Sequence, residues 1–200
     1  MAGPKTFFAV LVIVCHVHAS YSASLAENVV EAGRNDENDL PRNGGCKRGF
    51  PEQDAGWREI GTGCVGSRGN HFALLTYKET SGFVSAFRLT HVRGRIGCSA
   101  GARTNWGCNS RHRTNMYVTD INNVVMYPSP VLTKPYQKGG WYHLPGYDEN
   151  SPKLVFSDVG TRFIYSGQQI RVWYGEDLYG YTEADNHGLT CFKAELYFLP

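Results

Sequence analysis

The sequence predicts an all-β protein, an antiparallel β-sandwich of jelly-roll type that is braced by disulfides. The composition, with 23 glycines and 13% aromatic residues, favours strands and turns over helices. From Cys46 onward, short runs of β-branched and aromatic residues alternate with breaks of Gly, Pro, Asn and Asp. Several runs alternate apolar and polar residues with a period of two, which is typical of an antiparallel sheet packed on one side.

Seven segments carry this pattern and are predicted to be strands. In order along the chain they are His71–Tyr77, Phe83–His91, Met116–Thr119, Asn123–Tyr127, Lys153–Ser157, Gln168–Tyr174 and Leu189–Phe198. The alternation predicts that Phe83, Phe87 and Leu89 share the core face of their strand. It places Trp173 on the face opposite Ile170, where we expect it to be exposed.

The N-terminal segments predict secretion and a single folded domain. Residues 1–23 have a weakly positive start, the short apolar run Phe7–Val14 and small residues suited to cleavage at 19–23, so they are interpreted as a signal peptide rather than a membrane span. Residues 24–45 are polar and acidic and are predicted to be a disordered leader or a propeptide. Residues 46–200 are long enough for one domain with a hydrophobic core. We therefore expect a protein that is released outside the cell.

The cysteines are predicted to form disulfides, because the signal peptide directs the chain to an oxidising compartment. The sequence has six, of which Cys15 lies in the signal; the other five are Cys46, Cys64, Cys98, Cys108 and Cys191. Cys98 and Cys108 bracket one loop and are the simplest pair, whereas Cys191 has either Cys46 or Cys64 as a candidate partner. An odd number leaves one free thiol or one intermolecular bridge, so a disulfide-linked dimer is a candidate assembly.

Charge does not predict a nucleic-acid or membrane partner, since the net charge is only +2. One span nevertheless has no acidic residue between Glu79 and Asp120 and carries a series of arginines: Arg88, Arg93, Arg95, Arg103, Arg111 and Arg113. The guanidinium fork suits bidentate contact with carboxylate, phosphate or sulfate, as on acidic or sulfated glycans. The alternative is a solvated face that pairs with the acidic C-terminal segment, and spacing alone does not decide between the two.

An acidic, turn-like segment near the C-terminus is a candidate calcium site. Its possible ligands are Glu176, Asp177, Glu183, Asp185 and Asn186. Calcium takes several oxygen ligands, often carboxylates and Asn carbonyls from one loop. Asp and Asn are also common in turns for local hydrogen bonding, so the pattern fits both interpretations. No other cofactor is expected.

Catalysis is not expected. Gly97–Gly101 matches the G-x-S-x-G pattern around Ser99, but no parallel sheet or following helix surrounds it. The four tryptophans and twelve tyrosines are mostly expected in the core, although an exposed set would suit stacking against sugar rings.

Ser166–Cys191, SGQQIRVWYGEDLYGYTEADNHGLTC, resembles a segment of secreted cnidarian proteins. Asn105–Cys108, Trp141–Tyr147 and Ser151–Phe156 are similar to other parts of the same domain. Some of these proteins resemble components of the coral skeletal organic matrix, so the resemblance implies association with an extracellular matrix or biomineral and no catalysis. Long Asp-rich runs, which nucleate mineral directly, are not present here.

The sequence therefore predicts a secreted, non-enzymatic extracellular-matrix protein that binds matrix polymers or proteins. The alternative is a secreted lectin-like or defence module that binds glycans through Trp173 and the acidic turns.

Overall fold

The computed structural model describes residues 56–108, 113–133 and 138–200. Its strands are β1 (Gly56–Gly66), β2 (Ala73–Thr76), β3 (Gly82–Gly97), β4 (Met116–Thr119), β5 (Val125–Tyr127), β6 (Lys153–Ile164), β7 (Gln169–Tyr174) and β8 (His187–Phe198). One short α-helix, α1 (Gly175–Tyr179), follows β7, and 3-10 turns lie at Lys138–Gly140 and Glu183–Asp185.

The strands form two four-stranded antiparallel sheets with the jelly-roll order. The first sheet runs β1-β8-β3-β6 and the second β2-β7-β4-β5. Strands β1 and β8, β2 and β7, β3 and β6, and β4 and β5 are hydrogen-bonded pairs. The chain is thus one long antiparallel hairpin, closed between β4 and β5, whose arms pass alternately through the two sheets. The predicted fold class is confirmed.

The core lies between the sheets. On β8, Phe192, Ala194 and Leu196 are completely buried, and the odd-numbered residues between them point outward. The facing sheet contributes Met116, Val118, Ile170 and Val172. Because each strand alternates, the identity of its inward set fixes which side chains form the outer surface.

Strand β1 was not among the predicted strands. Its sequence, GWREIGTGCVG, contains four glycines and lacks a clear apolar alternation. Glycine has a packing role here: a Cβ added at Gly63 would lie 2.7 Å from the Cβ of Ala73 on β2. The residues that weaken the strand pattern are thus the ones that let β1 and β2 approach closely.

Two predictions about the exposure of side chains are wrong. Phe83 is 54% exposed, because a β-bulge between Val84 and Ala86 shifts the alternation, so that Phe83 and Phe87 lie on opposite faces. Trp173 is only 3% exposed, because Phe72 from the β1–β2 loop packs against its ring at a centroid distance of 4.5 Å. Trp173 is therefore not a surface for a ligand.

The described residues contain two disulfides, Cys64–Cys191 and Cys98–Cys108. The first joins neighbouring strands β1 and β8 across a register pair, and the second closes part of the β3–β4 loop. The segments predicted to be a signal peptide and a leader, and Cys46, lie outside the described residues. In the described part of the chain no helix is long and apolar enough to cross a membrane.

Candidate functional site

Four loops meet at one end of the sandwich: β1–β2, β3–β4, β5–β6 and β7–β8. The completely buried side chain of Asn115 connects three of them. Its Nδ2 donates to the carbonyl of Gly139 at 2.7 Å, and its Oδ1 accepts from the backbone N–H of Glu176 at 2.9 Å. The backbone carbonyl of Asn115 also accepts from Gly175 N–H at 2.6 Å. Asn115 thereby fixes the position of the Glu176 backbone relative to the β5–β6 loop.

Gly139 lies in contact with the side chains of this loop end. Its φ of 76° is in the left-handed region that favours glycine, and a Cβ there would approach Tyr181 Cδ1 at 3.0 Å and Glu176 Oε1 at 3.2 Å. Trp141, two residues further on, donates from Nε1 to Glu176 Oε1 at 3.1 Å. The sequence around Gly139 therefore allows the β5–β6 loop to lie directly against the Glu176 carboxylate.

Glu176 is the central carboxylate of the site and is 5% exposed. Its Oε1 accepts hydrogen bonds from Trp141 and, at 3.2 Å, from Thr182 Oγ1. Its Oε2 is buried without a hydrogen-bond partner among the described residues. Burial raises the pKa of Glu176 above the ordinary value, and the hydrogen bonds from Trp141 and Thr182 partly offset that rise.

Two further buried oxygens beside Glu176 also lack partners in the described part of the chain. Asn186 is 1% exposed and donates from Nδ2 to the carbonyl of Ser67 at 2.9 Å, whereas its Oδ1 has no partner. Ser67 is equally buried, and its Oγ is likewise unpartnered. Burying a polar group without a hydrogen bond costs free energy. The unpartnered oxygen atoms of Glu176, Asn186 and Ser67 therefore suit a ligand that coordinates them or donates hydrogen bonds to them.

The other acidic side chains of this segment are used differently. Asp177 accepts from the backbone N–H groups of Asn70 and His71 at 2.7 and 2.8 Å, and Glu183 accepts from Gly69 N–H at 3.0 Å. Burial raises the pKa of Asp177, and the adjacent Glu183 carboxyl raises it further. These two residues hold the β1–β2 loop against the β7–β8 loop.

The five residues predicted as calcium ligands are therefore not equivalent. Glu176 and Asn186 present unpartnered oxygens, Asp177 and Glu183 bind backbone N–H groups, and Asp185 is exposed. Within the described ranges no three His, Cys, Asp or Glu side chains are grouped so as to hold a metal ion. The residues fit a hard cation only if amide, hydroxyl and backbone oxygens complete its coordination, which calcium accepts.

Two exposed aromatic rings lie at the same loop end. Tyr179 is 51% exposed and Tyr181 is 37% exposed. The ring of Tyr179 packs edge-on against Tyr117 at a centroid distance of 5.4 Å, which holds it in place. The loop end thus combines buried oxygen ligands with an aromatic rim.

The same architecture occurs in a solved structure, AJLec from the sea anemone Anthopleura japonica. The two proteins share 34% sequence identity with a TM-score of 0.66, over 72% of this chain and 98% of that chain. The chain belongs to the AJLec family. No protein-family profile and no curated protein matches the sequence. The cnidarian resemblance seen in the sequence is thus supported by AJLec, which carries no link to a skeletal matrix.

In this member of the AJLec family, the arginines of the predicted series have different surroundings. Arg88 forms a two-pronged ion pair with Glu195, in which its Nε and Nη2 each donate over 2.7 Å. Arg88 thus pairs with the C-terminal segment, which is the alternative to anion binding that the sequence left open. Arg113 is partly buried beside the bridge residue Thr114, and Arg111 lies outside the described residues. The exposed members are Arg93, Arg95 and Arg103.

Ser99 does not lie in a nucleophile elbow. It occupies the disulfide-closed part of the β3–β4 loop, where its Oγ lies 3.9 Å from Cys108 Sγ. No helix follows it, since the chain turns back to form the bridge between Ile96 and Thr104.

Sequence reasoning missed Asn115, Gly139 and Ser67. The Gly139-Gly140 pair in a proline-rich loop was a signal of unusual backbone geometry. Asn115 and Ser67 gave none, because a buried Asn or Ser is recognised only through the groups that surround it.

Proposed function

We propose that this protein is an extracellular carbohydrate-binding protein whose sugar site is the four-loop end of the sandwich. The observation that carries the proposal is that one loop end contains unpartnered buried oxygens on Glu176, Asn186 and Ser67 together with the exposed rings of Tyr179 and Tyr181. Ligand sites of this class combine a few oriented polar groups with aromatic surface.

Each part of the site has a defined task. The Glu176 carboxylate and the Asn186 amide oxygen would hold a calcium ion, with Asn115 and Trp141 fixing the orientation of Glu176. A bound calcium ion would supply a positive charge that attracts sugar hydroxyl oxygens. The tyrosine rings offer apolar faces for the C–H side of a sugar ring.

Family membership supports the same function. The name AJLec designates a lectin, a protein that binds carbohydrate without altering it, so we propose binding rather than catalysis here too. The two disulfides of the domain suit an oxidising, extracellular setting, and we propose that the N-terminal segment secretes the chain.

The experiment is a glycan array probed with the mature protein in calcium and again in excess EDTA. We expect binding that EDTA abolishes, and that a Glu176→Gln variant weakens about tenfold or more, since a neutral amide replaces the carboxylate. Glu79→Gln removes an equivalent charge from an exposed residue at the opposite end and is expected to bind normally. An array without signal overturns the proposal, and binding that survives EDTA overturns its calcium part.

Association with an extracellular matrix is a second candidate, favoured by the resemblance of Ser166–Cys191 to cnidarian matrix proteins. A carbohydrate-binding protein is retained wherever its glycan is immobilised, so the two functions are compatible. Fractionation of the source tissue with an antibody tests it: recovery only from the soluble fluid, with none in the insoluble matrix, would contradict it.

A further inference from the structure

The outer face of the first sheet carries three exposed arginines that strand register brings together. On β3, Arg93 and Arg95 are two residues apart and lie opposite Cys191 and Leu189 of β8. Directly paired residues of an antiparallel sheet point to the same side, and the odd-numbered residues of β8 point away from the core. Arg93 and Arg95 therefore project together from the outer face.

Arg103 joins them through the β3–β4 loop. The antiparallel bridge between Ile96 and Thr104 buries both of those residues and leaves Arg103, which is exposed, opposite Gly97. By the alternation of this bridge, Arg103 points to the same side as Gly97 and Arg95, next to the Ala102 carbonyl oxygen and the His187 ring that fill the space above Gly97. We call Arg93, Arg95 and Arg103 the arginine face.

The charge of the arginine face is not matched by the protein in the described part of the chain. Arg93 and Arg103 have no hydrogen-bond or ion-pair partner there, and Arg95 donates only to the neutral Asn150 Oδ1 at 2.9 Å. Two carboxylates of this sheet face, Glu195 and its register partner Glu59, lie level with Arg88 rather than with the arginine face, and Glu195 is taken by Arg88 at 2.7 Å and Lys193 at 3.2 Å. Three exposed arginines thus lie on one face without a carboxylate partner among the described residues.

The backbone beneath the arginine face is rigid. Cys191, the register partner of Arg93, is bonded to Cys64 on β1. Between the two arginines, Gly94 has a φ of 85°, and a Cβ there would lie 2.2 Å from the carbonyl oxygen of Leu189. A bulge between His91 and Arg93 sets the direction in which the arginines leave the strand. Such support reduces the entropy that is lost when a ligand binds.

We propose that the arginine face is a second ligand site, which binds a sulfated polysaccharide. Guanidinium forks match sulfate oxygens bidentately, and side chains two apart on a strand, with a third on its neighbour, suit the repeated charges of a linear polymer. Polysaccharide is favoured over nucleic acid because disulfides are typical of extracellular domains, and sulfate esters outside the cell are borne on glycans. The face adjoins the start of β8 and shares no residue with the Glu176, Asn186 and Ser67 set.

The test uses heparin as the probe and the full mature chain in EDTA, so that the outcome does not depend on the calcium site. Surface plasmon resonance over a series of salt concentrations is expected to show binding to immobilised heparin that weakens with salt. In the R93Q/R95Q/R103Q variant we expect the affinity for heparin to fall about 100-fold. The slope of log affinity against log salt concentration should fall in magnitude by about three, one for each lost charge. Melting temperature is measured alongside to show that the variant is folded.

Two comparisons make the result specific. Lys78→Gln removes one exposed charge at the opposite end of the sandwich and should leave heparin affinity unchanged, whereas Arg93→Gln should weaken it. R93K/R95K/R103K keeps the charge without the fork and should recover only part of the affinity. Equal heparin affinity of the triple Gln variant and the wild type overturns the proposal. So does binding to anionic phospholipid vesicles or to DNA with no binding to heparin.

Discussion

Asn115 Oδ1 accepts the backbone N–H of Glu176 at 2.9 Å, so a neutral buried side chain sets the position of the central carboxylate. Asn115→Ala removes this bond and the one to the Gly139 carbonyl, leaving two buried backbone groups unpaired. We expect a loss of about 2–4 kcal/mol in the free energy of unfolding, measured by urea titration, and a loss of glycan binding. Asn122→Ala, at an exposed position, is the control; equal stability of the two variants would show that the Asn115 bonds are not important.

Gly139 offers a test that separates backbone strain from contact with the site. Gly139→Ala and Gly146→Ala introduce the same methyl group at φ values of 76° and 82°, and each should lose about 1 kcal/mol of stability. Only at Gly139 does the methyl meet the site, lying 3.1 Å from Trp141 Nε1; nothing lies within 4 Å at Gly146. We therefore expect Gly139→Ala to lose glycan binding and Gly146→Ala to keep it on the same array. Loss of glycan binding in both variants would show that backbone strain alone, and not contact with the site, causes the loss.

The jelly roll was predictable because its inward side chains repeat with a period of two. Ala194 and Leu196 on β8 follow that period and are completely buried. The prediction failed where the backbone breaks the period: the bulge beside Val84 reverses the face on which Phe83 lies. A bulge depends on pairing with another strand, so the alternation within one segment does not reveal it.

The candidate site was predictable in part for a similar reason. Glu176 and Asn186 belong to one acidic segment that local composition identifies. Which of the acidic side chains keep unpartnered oxygens depends on the β1–β2 loop, because the backbone N–H groups of Asn70 and His71 use both oxygens of Asp177. Such contacts join residues more than 100 positions apart and leave no local pattern.

The Arg88–Glu195 ion pair predicts a pH-dependent contribution to stability. Hydrogen bonding from Arg88, supported by Lys193, holds the pKa of Glu195 below its ordinary value. The contribution is therefore complete above the pKa of an unfolded glutamate, about 4.3, and is lost as the pH falls through the lower pKa of the folded state.

A double-mutant cycle of Arg88→Gln and Glu195→Gln measures this contribution. Urea titrations at pH 7 are expected to give a coupling energy of about 1–3 kcal/mol, which decreases when the pH is lowered below 4. Glu79→Gln serves as the charge control. A coupling energy that stays constant down to pH 2 would show that ionised Glu195 is not its source.

The two disulfides are expected to differ in their effect on stability. Cys64 and Cys191 are 127 residues apart, whereas Cys98 and Cys108 are 10 apart. Chain-entropy arguments then give a cost of about 5 kcal/mol for C64S/C191S and about 3 kcal/mol for C98S/C108S. Thermal and urea unfolding of the two double variants would measure which disulfide contributes more to stability. Greater destabilisation by C98S/C108S would mean that packing of the β3–β4 loop outweighs chain entropy.

The pairing of Cys64 with Cys191 and of Cys98 with Cys108 assigns every cysteine of the described residues. Of the five cysteines that follow the predicted signal peptide, Cys46 is then the remaining one. If the chain is secreted as we propose, we expect it to form a disulfide-linked dimer through Cys46, since an unmatched thiol in an oxidising compartment pairs with another chain. Non-reducing electrophoresis should show a dimer band that reduction converts to monomer. Cys46→Ser should remove that band while leaving the melting temperature unchanged, because both intrachain disulfides remain. A monomer band from wild-type protein, with one thiol per chain titrating after denaturation, would contradict the dimer and identify Cys46 as a free thiol.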